Sequence, residues 1–362
     1  MKFRVRAPSN IALIKYMGKK TSVPFAGRNI PENPSLSMTL NALSTYLEIE
    51  LSFDGRDQFR LDPSAPEIPA GILKGARIFP VELKPPGVDK FERHYRRVQS
   101  RIGETLDALG HGPLRRERPS VVVRSFNTFP AGSGIASSAS SFAALTLAAA
   151  LANAQDPATL AGVFGSEKGS LLRRALARIS REGSGSSCRS FEGPWVQWDG
   201  EDASACSSRL PDMAHFVVVV SSGEKAVSSS DAHQRVKSSP LWEGRAERAG
   251  ERFARARLAI ESGDRAGLAK LAWNEMWEMH SLFHTAQEPF SYWNPGTIDG
   301  LHYFGAFLRE EEPPIVTLDA GPNIHVIVPG QERDPWRDRL LARFGKEHLL
   351  EDSQGRGAEI LS

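Results

Sequence analysis

The block Phe129-Pro-Ala-Gly-Ser-Gly-Ile-Ala-Ser-Ser-Ala-Ser140 constrains this chain more than any other segment. It follows Val121 to Phe126, an apolar run that reads as a strand. It opens an uncharged, Ala-rich stretch reaching Asn153 that reads as a helix. Small residues at a strand-to-helix turn, here Gly132, Ser133, Gly134, Ser137 and Ser138, let backbone N–H groups approach an anion. The helix start adds unpaired donors and the positive end of the dipole. The block therefore suits phosphate. Gly132-Ser-Gly134 also invites a dinucleotide reading, but Ser137 stands where the third glycine of Gly-x-Gly-x-x-Gly belongs. The block also lacks the Gly-Lys-Ser/Thr ending of a P-loop.

A chain of 362 residues exceeds what one hydrophobic core usually holds, so two domains are expected. A formal charge of +2 argues against a nucleic-acid partner, and Arg115-Arg116-Glu117-Arg118 reads as a solvated loop. Cys188 and Cys206 form no disulfide or metal framework, and Cys188 reads as a small buried filler. The N-terminus has no signal-peptide apolar region. Ala131 to Ala154 is uncharged but rich in Ser, Ala and Gly, which fits a buried core helix better than a membrane span. The expected location is the cytoplasm, with no membrane partner.

Lys2 to Arg6 and Leu47 to Phe53 alternate as half-buried strands do. Prolines break the pattern from Asp62 to Pro86, an irregular excursion. Phe91, Tyr95, Val98 and Ile102 give one helical stripe, and Leu171, Leu172, Ala175, Leu176 and Ile179 another. Small polar residues at Gly200 to Ser208 mark a domain boundary. Phe216 to Val220 then reads as a buried strand, followed by helices over Trp242–Ser262 and Asp264–Phe283. Gly263 fits the end of the first and Asp264 caps the second. A helix near Ile298–Leu308 leads to strands Ile315–Leu318 and Ile324–Val328 around the turn Asp319-Ala-Gly-Pro-Asn323. Without the regular beat of a doubly wound sheet, the expectation is an α+β protein with antiparallel sheets.

Three further segments carry chemistry. Asn10 to Lys20 gathers Lys15, Tyr16, Lys19 and Lys20, either a solvated basic edge or a grip on an acidic ligand. Gly183 to Ser190 places hydroxyls beside Arg189, a residue suited to two-pronged recognition of phosphate or carboxylate. Asp319, at a strand end, is either a capping group or a base facing a ligand. His280 and His284 stand four apart on a helix, but no third ligand is evident and no metal site is expected there.

Taken together, these segments resemble the diphosphomevalonate decarboxylases of the GHMP kinase superfamily. The family's Asn-Ile-Ala-x-x-Lys-Tyr-Trp-Gly-Lys appears as Asn10 to Lys19, with Met17 for the tryptophan. Asn-Ser-Ser-Leu-Ser-x-Thr-Leu is similar to Asn33 to Leu40. The family's phosphate loop looks like Phe129 to Ala139, its Gly-Ser-Gly-Ser-Ala-Cys-Arg-Ser like Gly183 to Ser190, and its Asp-Ala-Gly-Pro-Asn matches Asp319 to Asn323 in full.

This resemblance implies an α+β GHMP-kinase fold. A domain like the second domain of ribosomal protein S5, over residues 1–207, would precede a ferredoxin-like domain over 208–362, with the active site in the cleft between them. It implies ATP and Mg²⁺ as cofactors, a small-molecule acid as substrate, and a homodimer. ATP would phosphorylate the 3-hydroxyl of mevalonate 5-diphosphate, and loss of phosphate and carbon dioxide would leave isopentenyl diphosphate. Asp319 would be the base and Arg189 would grip the substrate carboxylate. Asn10, Lys15, Tyr16, Lys19, Ser184 and Ser186 would hold the substrate, and Gly132, Ser133, Gly134, Ser137 and Ser138 the ATP phosphates. The alternatives are a kinase or decarboxylase acting on a related mevalonate-like acid and, more distantly, an NAD-dependent oxidoreductase.

Overall fold

A computed structural model describes residues 1–73, 76–81, 83–110, 113–130, 135, 137–221, 223 and 225–361. The first half begins with two long strands, β1 (Lys2–Ile14) and β2 (Ser35–Ser52). The proline-broken excursion holds only β3 (Phe59–Leu61), the single turn α1 (Ala70–Leu73) and β4 (Phe79–Pro80). Then come α2 (Pro85–Ala108), β5 (Ser120–Asn127), α3 (Ser137–Asn153), α4 (Pro157–Gly165) and α5 (Ser170–Gly183). The hairpin β6 (Trp195–Asp199) and β7 (Asp202–Ala205) closes this half.

The second half opens with β8 (Met213–Val218) and the helices α6 (Ser229–Arg235), α7 (Arg245–Ser262), α8 (Arg265–His284) and α9 (Pro295–Gly305). It ends with β9 (Ile315–Thr317), β10 (Ile324–Pro329), α10 (Arg333–Phe344), β11 (Leu349–Ser353) and β12 (Glu359–Leu361). The first sheet runs β12-β1-β2-β5-β3, with β4 on β5 and the β6–β7 hairpin on β2. The second runs β11-β8-β10-β9. Ladders are antiparallel except β3 on β5, as the α+β expectation required.

Helix α3 is buried nearly all round, which explains its uncharged, non-amphipathic sequence. Its neighbours α2 and α5 do show stripes: Phe91, Tyr95, Val98 and Ile102 are buried, as are Leu172, Leu176 and Ile179, whereas Leu171 faces out. Gly263 closes α7 at φ +82°, and Asp264 accepts the Gly267 N–H at 2.8 Å to start α8.

The halves share a core. Ile11 and Leu13 of β1 and Leu36, Met38 and Leu40 of β2 pack with Val217, Ile315 and Ile327 of the second sheet and Ala256 and Ile260 of α7. The last strand, β12, returns to pair with β1, so the chain's end belongs to the first sheet. Among the described residues no helix is long and apolar enough to cross a membrane.

Candidate active site

Strand β1 carries the first site residues on an irregular ladder. Its pairing with β2 slips between Pro8 and Asn10 and again between Ala12 and Ile14. Such bulges re-aim side chains, and here they deliver Lys15 and Tyr16 to the wall of a cleft of about 350 Å³. The same cleft is lined by Lys19, Lys90, Ser138, Ser184, Ser186 and Arg189 from the first half and by Lys225, His233, Met279 and Asp319 from the second.

The Lys15 ammonium lies 2.7 Å from the Asp319 carboxylate and donates to the Ala12 carbonyl at 2.6 Å. Burial pushes it below its ordinary pKa, against the pull of Asp319 and then Glu275. Lys15 is therefore the partner of the candidate base rather than an open cation. Asp319 sits on a braced turn. Its carbonyl accepts from Gly321 N–H at 2.7 Å and lies 3.2 Å from His280 Nε2. Asn323 Oδ1 accepts the Val220 and Ser221 N–H groups at 2.8 and 3.0 Å, clamping the turn to the end of β8. His280, four residues before His284 on α8, serves this brace.

Arg189 stands in the short helical turn Gly185–Ser190 after α5, and is buried. Its Nε donates to Asn10 Oδ1 at 3.1 Å and its Nη1 to Ser35 Oγ at 2.7 Å. The guanidinium lies over the Trp198 ring at 5.6 Å. Asn10 also donates to the Ser186 carbonyl and to Ser190 Oγ. The structure thus places Asn10 behind Arg189, as its holder, and not on the cleft wall. Burial disfavours the Arg189 charge, with Asp319 among the groups that offset it. An anionic ligand would relieve that cost.

The Tyr16 ring lies 4.5 Å from both Trp198 and His233, tilted to each. Its hydroxyl is buried without a partner among the described residues, and burial pushes the phenol pKa up. A buried polar atom left open in this way costs free energy until something pairs with it. Lys19 is lowered to about 8, by burial first and by neighbouring Lys90 second. His233 is pushed down to about 3 by burial, Lys19 and Lys237, so the ring is neutral and its Nδ1 accepts the Gly18 N–H at 2.9 Å. Cys188 is buried, its thiol pushed up to about 12 by burial, as befits a filler.

Ser137 and Ser138 begin α3. Ser138 Oγ lies 3.1 Å from Ser184 Oγ, which ties the helix start to the serine-rich turn. Ser184 and Ser186 both reach the cleft, whereas Ser137 turns its carbonyl to Ser140 Oγ. Gly132, Ser133 and Gly134 lie outside the described residues. Two cleft lysines escaped the sequence reading. Lys90 directly precedes the apolar stripe of α2 and reads as an ordinary helix-edge charge. Lys225 lies two residues before Val227-Ser-Ser-Ser230, and that serine run was the one available signal.

Residues 7–72 and 82–208 match the diphosphomevalonate decarboxylase-like N-terminal domain, and residues 215–359 the mevalonate 5-diphosphate decarboxylase C-terminal domain. The chain is 31% identical to the diphosphomevalonate decarboxylase of Aspergillus fumigatus over 340 residues, spanning 88% of this chain and 74% of that protein. It is 34% identical to the crystal structure of a mevalonate diphosphate decarboxylase from Legionella pneumophila, with a TM-score of 0.75 over 97% of this chain and 100% of that one. A structure of MDDEF in complex with MVAPP, AMPPCP and magnesium is 27% identical, with a TM-score of 0.77 over 100% and 99% of the two chains. The two-domain GHMP-type fold is shared with these structures, and the chain belongs to the diphosphomevalonate decarboxylase family.

Proposed function

We propose that this chain is an ATP-dependent decarboxylase that converts mevalonate 5-diphosphate to isopentenyl diphosphate. One observation carries the reading: a single cleft holds a carboxylate fixed by a buried ammonium, Asp319 with Lys15 at 2.7 Å, and a buried arginine, Arg189, with the two halves each supplying a wall. Asp319 takes the proton of the 3-hydroxyl as its oxygen attacks the terminal phosphorus of ATP, releasing ADP. The C3–O bond then breaks with phosphate as leaving group. The electron pair of the breaking bond to the carboxylate forms the alkene, and carbon dioxide departs.

Phosphoryl transfer depends mainly on positioning and charge stabilisation. Lys15 fixes the Asp319 carboxylate in place. Arg189 grips the substrate carboxylate, yet an arginine that stabilises a carboxylate opposes its departure as neutral carbon dioxide. Its contribution is therefore orientation. The driving force comes from stabilising the departing phosphate, for which Lys90 and Lys225 add positive charge. Lys19, Tyr16, Ser184 and Ser186 hold the substrate diphosphate, and the open Tyr16 hydroxyl gains a partner there.

ATP phosphates sit at the start of α3, with Ser137 and Ser138 and, from the glycine-rich block of sequence before it, Gly132, Ser133 and Gly134. Among the described residues no three His, Cys, Asp or Glu side chains converge on a metal. Magnesium binds through phosphate oxygens with few protein ligands and not in a protein cage, and a cleft-lining hydroxyl such as that of Ser138 suits it. Phosphate oxygens and the Ser138 hydroxyl would hold the ion, which neutralises phosphate charge when bound. The division into residues 1–207 and 208–362, homodimer assembly and a cytoplasmic location belong to the same proposal. The small polar boundary near Gly200–Ser208 supports the division, although β12 crosses back over it.

The test is to offer ATP and Mg²⁺ with mevalonate, its 5-phosphate and its 5-diphosphate in parallel, and to identify the products. Isopentenyl diphosphate from the 5-diphosphate is expected. A phosphorylated acid with no alkene, from any of the three, overturns the proposal in favour of a kinase.

A further inference from the structure

The C-terminal segment does something its sequence does not announce. After Ser353 the chain leaves the second sheet, crosses the interdomain seam and joins the first sheet as β12, with Val5 opposite Ile360 and Arg6 opposite Glu359. The crossing is latched at its start. Buried Asp352 accepts the Ala42 N–H at 2.6 Å and the Leu43 N–H at 3.0 Å, where the β2 ladder with β1 slips between Thr39 and Ser44. Gly355 then donates its N–H to the Thr39 carbonyl at 2.8 Å.

Thr39 is fully buried and faces the other way too. Its N–H donates to the Pro194 carbonyl at 2.8 Å. Its hydroxyl meets the Glu192 carbonyl at 2.8 Å and the Arg189 carbonyl at 3.4 Å. A hydroxyl has one proton, so these two carbonyls share it. Thr39 therefore joins the crossing segment to the backbone that bears Arg189.

Steric contact closes the arrangement. A Cβ on Gly357 would stand 2.1 Å from the Phe191 carbonyl oxygen, and one on Gly355 would stand 2.2 Å from that of Leu40. Backbone meets backbone at both places, so no side chain can swing aside. The Arg189 side chain is fixed by Asn10 and Ser35, and its main chain is fixed by Thr39 and this segment.

We propose that Thr39 and the strap Asp352–Ala358 are a positioning device that sets the angle at which Arg189 meets the substrate carboxylate. Thr39, Gly355 and Gly357 are its positioning residues. The proposal rests on the role given to Arg189 under Proposed function. It predicts that changes some distance from the chemistry damage the acid side of the reaction and spare the nucleotide side.

The test compares the full chain with Thr39→Val, Thr39→Ser and Gly357→Ala. Calorimetry gives the affinity for mevalonate 5-diphosphate and for ATP, and steady-state assays give KM and kcat with ADP and carbon dioxide counted separately. Thr39→Val, which keeps the shape and removes the hydroxyl, is expected to lower kcat/KM for the acid between about tenfold and a hundredfold. ATP affinity should change by less than about twofold, and Thr39→Ser should recover most of the loss. Gly357→Ala should show the same pattern. If Gly357→Ala does not fold, the two Thr39 variants decide. Acid kinetics of Thr39→Val equal to the parent's, a Thr39→Ser as poor as Thr39→Val, or matched losses for acid and ATP would each overturn the proposal. A parent that binds the acid but releases no carbon dioxide contradicts the proposed function alone, because the calorimetric comparison still tests the strap.

Discussion

Burial depresses Lys19 most, with neighbouring Lys90 adding to it, and Lys90 is itself lowered by burial and then by Arg93. With its folded value near 8, Lys19 is charged at pH 7 and loses its proton as the pH rises through 8. Its attraction for a phosphate is present below that window and lost above it. The expected outcome is a KM for the phosphorylated acid that climbs between about pH 8 and 9.5. Lys19→Arg should flatten that rise, because a guanidinium keeps its charge throughout. A KM–pH profile of both proteins checks this. At this scale the sequence was partly readable. Asp319 and Arg189 stand in distinctive local surroundings, a Gly-Pro-Asn turn and a serine-rich turn. The task of Lys15 was hidden because its partner lies 304 positions away. Asn10 looked like a ligand for the same reason: its side chain is spent on the Gly185–Ser190 turn, far along the chain.

Beneath the site, helices α7 and α8 are joined by a buried charge network. Glu275 accepts from both terminal nitrogens of Arg245, from Arg252 at 2.7 Å and from the Lys15 N–H at 3.1 Å. Arg245 and Glu275 are almost wholly inaccessible. Removing the Glu275 charge leaves buried Arg245 with only the longer contact to Glu278, at 3.7 Å. Glu275→Gln should therefore lower stability by about 3–5 kcal/mol, measured by denaturant unfolding against the parent. Among the elements, α3, α5, α7 and α8 were legible from composition, stripe and cap. The front of β2 was not. Ser35, Leu36, Ser37, Met38, Thr39 and Leu40 are all buried, because both faces of the strand are covered there. Alternation normally marks the boundary between core and water; here Ser35 and Thr39 face bonded partners instead of solvent. The short strands β11 and β12 lacked the length for any pattern to emerge.

Across the whole molecule, the proposed chemistry depends on the two halves meeting. Lys15 comes from the first sheet and Asp319 from the turn after β9, and the core beneath them draws on both halves. A buried histidine pair, His215 and His325 at 2.9 Å, also lies in the second sheet, both rings held well below their ordinary pKa by burial. The small polar stretch near residue 200 could be read as a break between two halves. The shared core and the returning strand were not legible, since both depend on contacts between distant segments. The most direct measurement counts carbon dioxide and phosphate released per ADP formed, with mevalonate 5-diphosphate as substrate, for the parent and Asp319→Asn. One of each per ADP is expected from the parent. Asp319→Asn should lose all three together by about 10²–10⁴ in rate while still binding ATP. ADP formed by the parent without carbon dioxide, or full turnover by Asp319→Asn, would contradict the account.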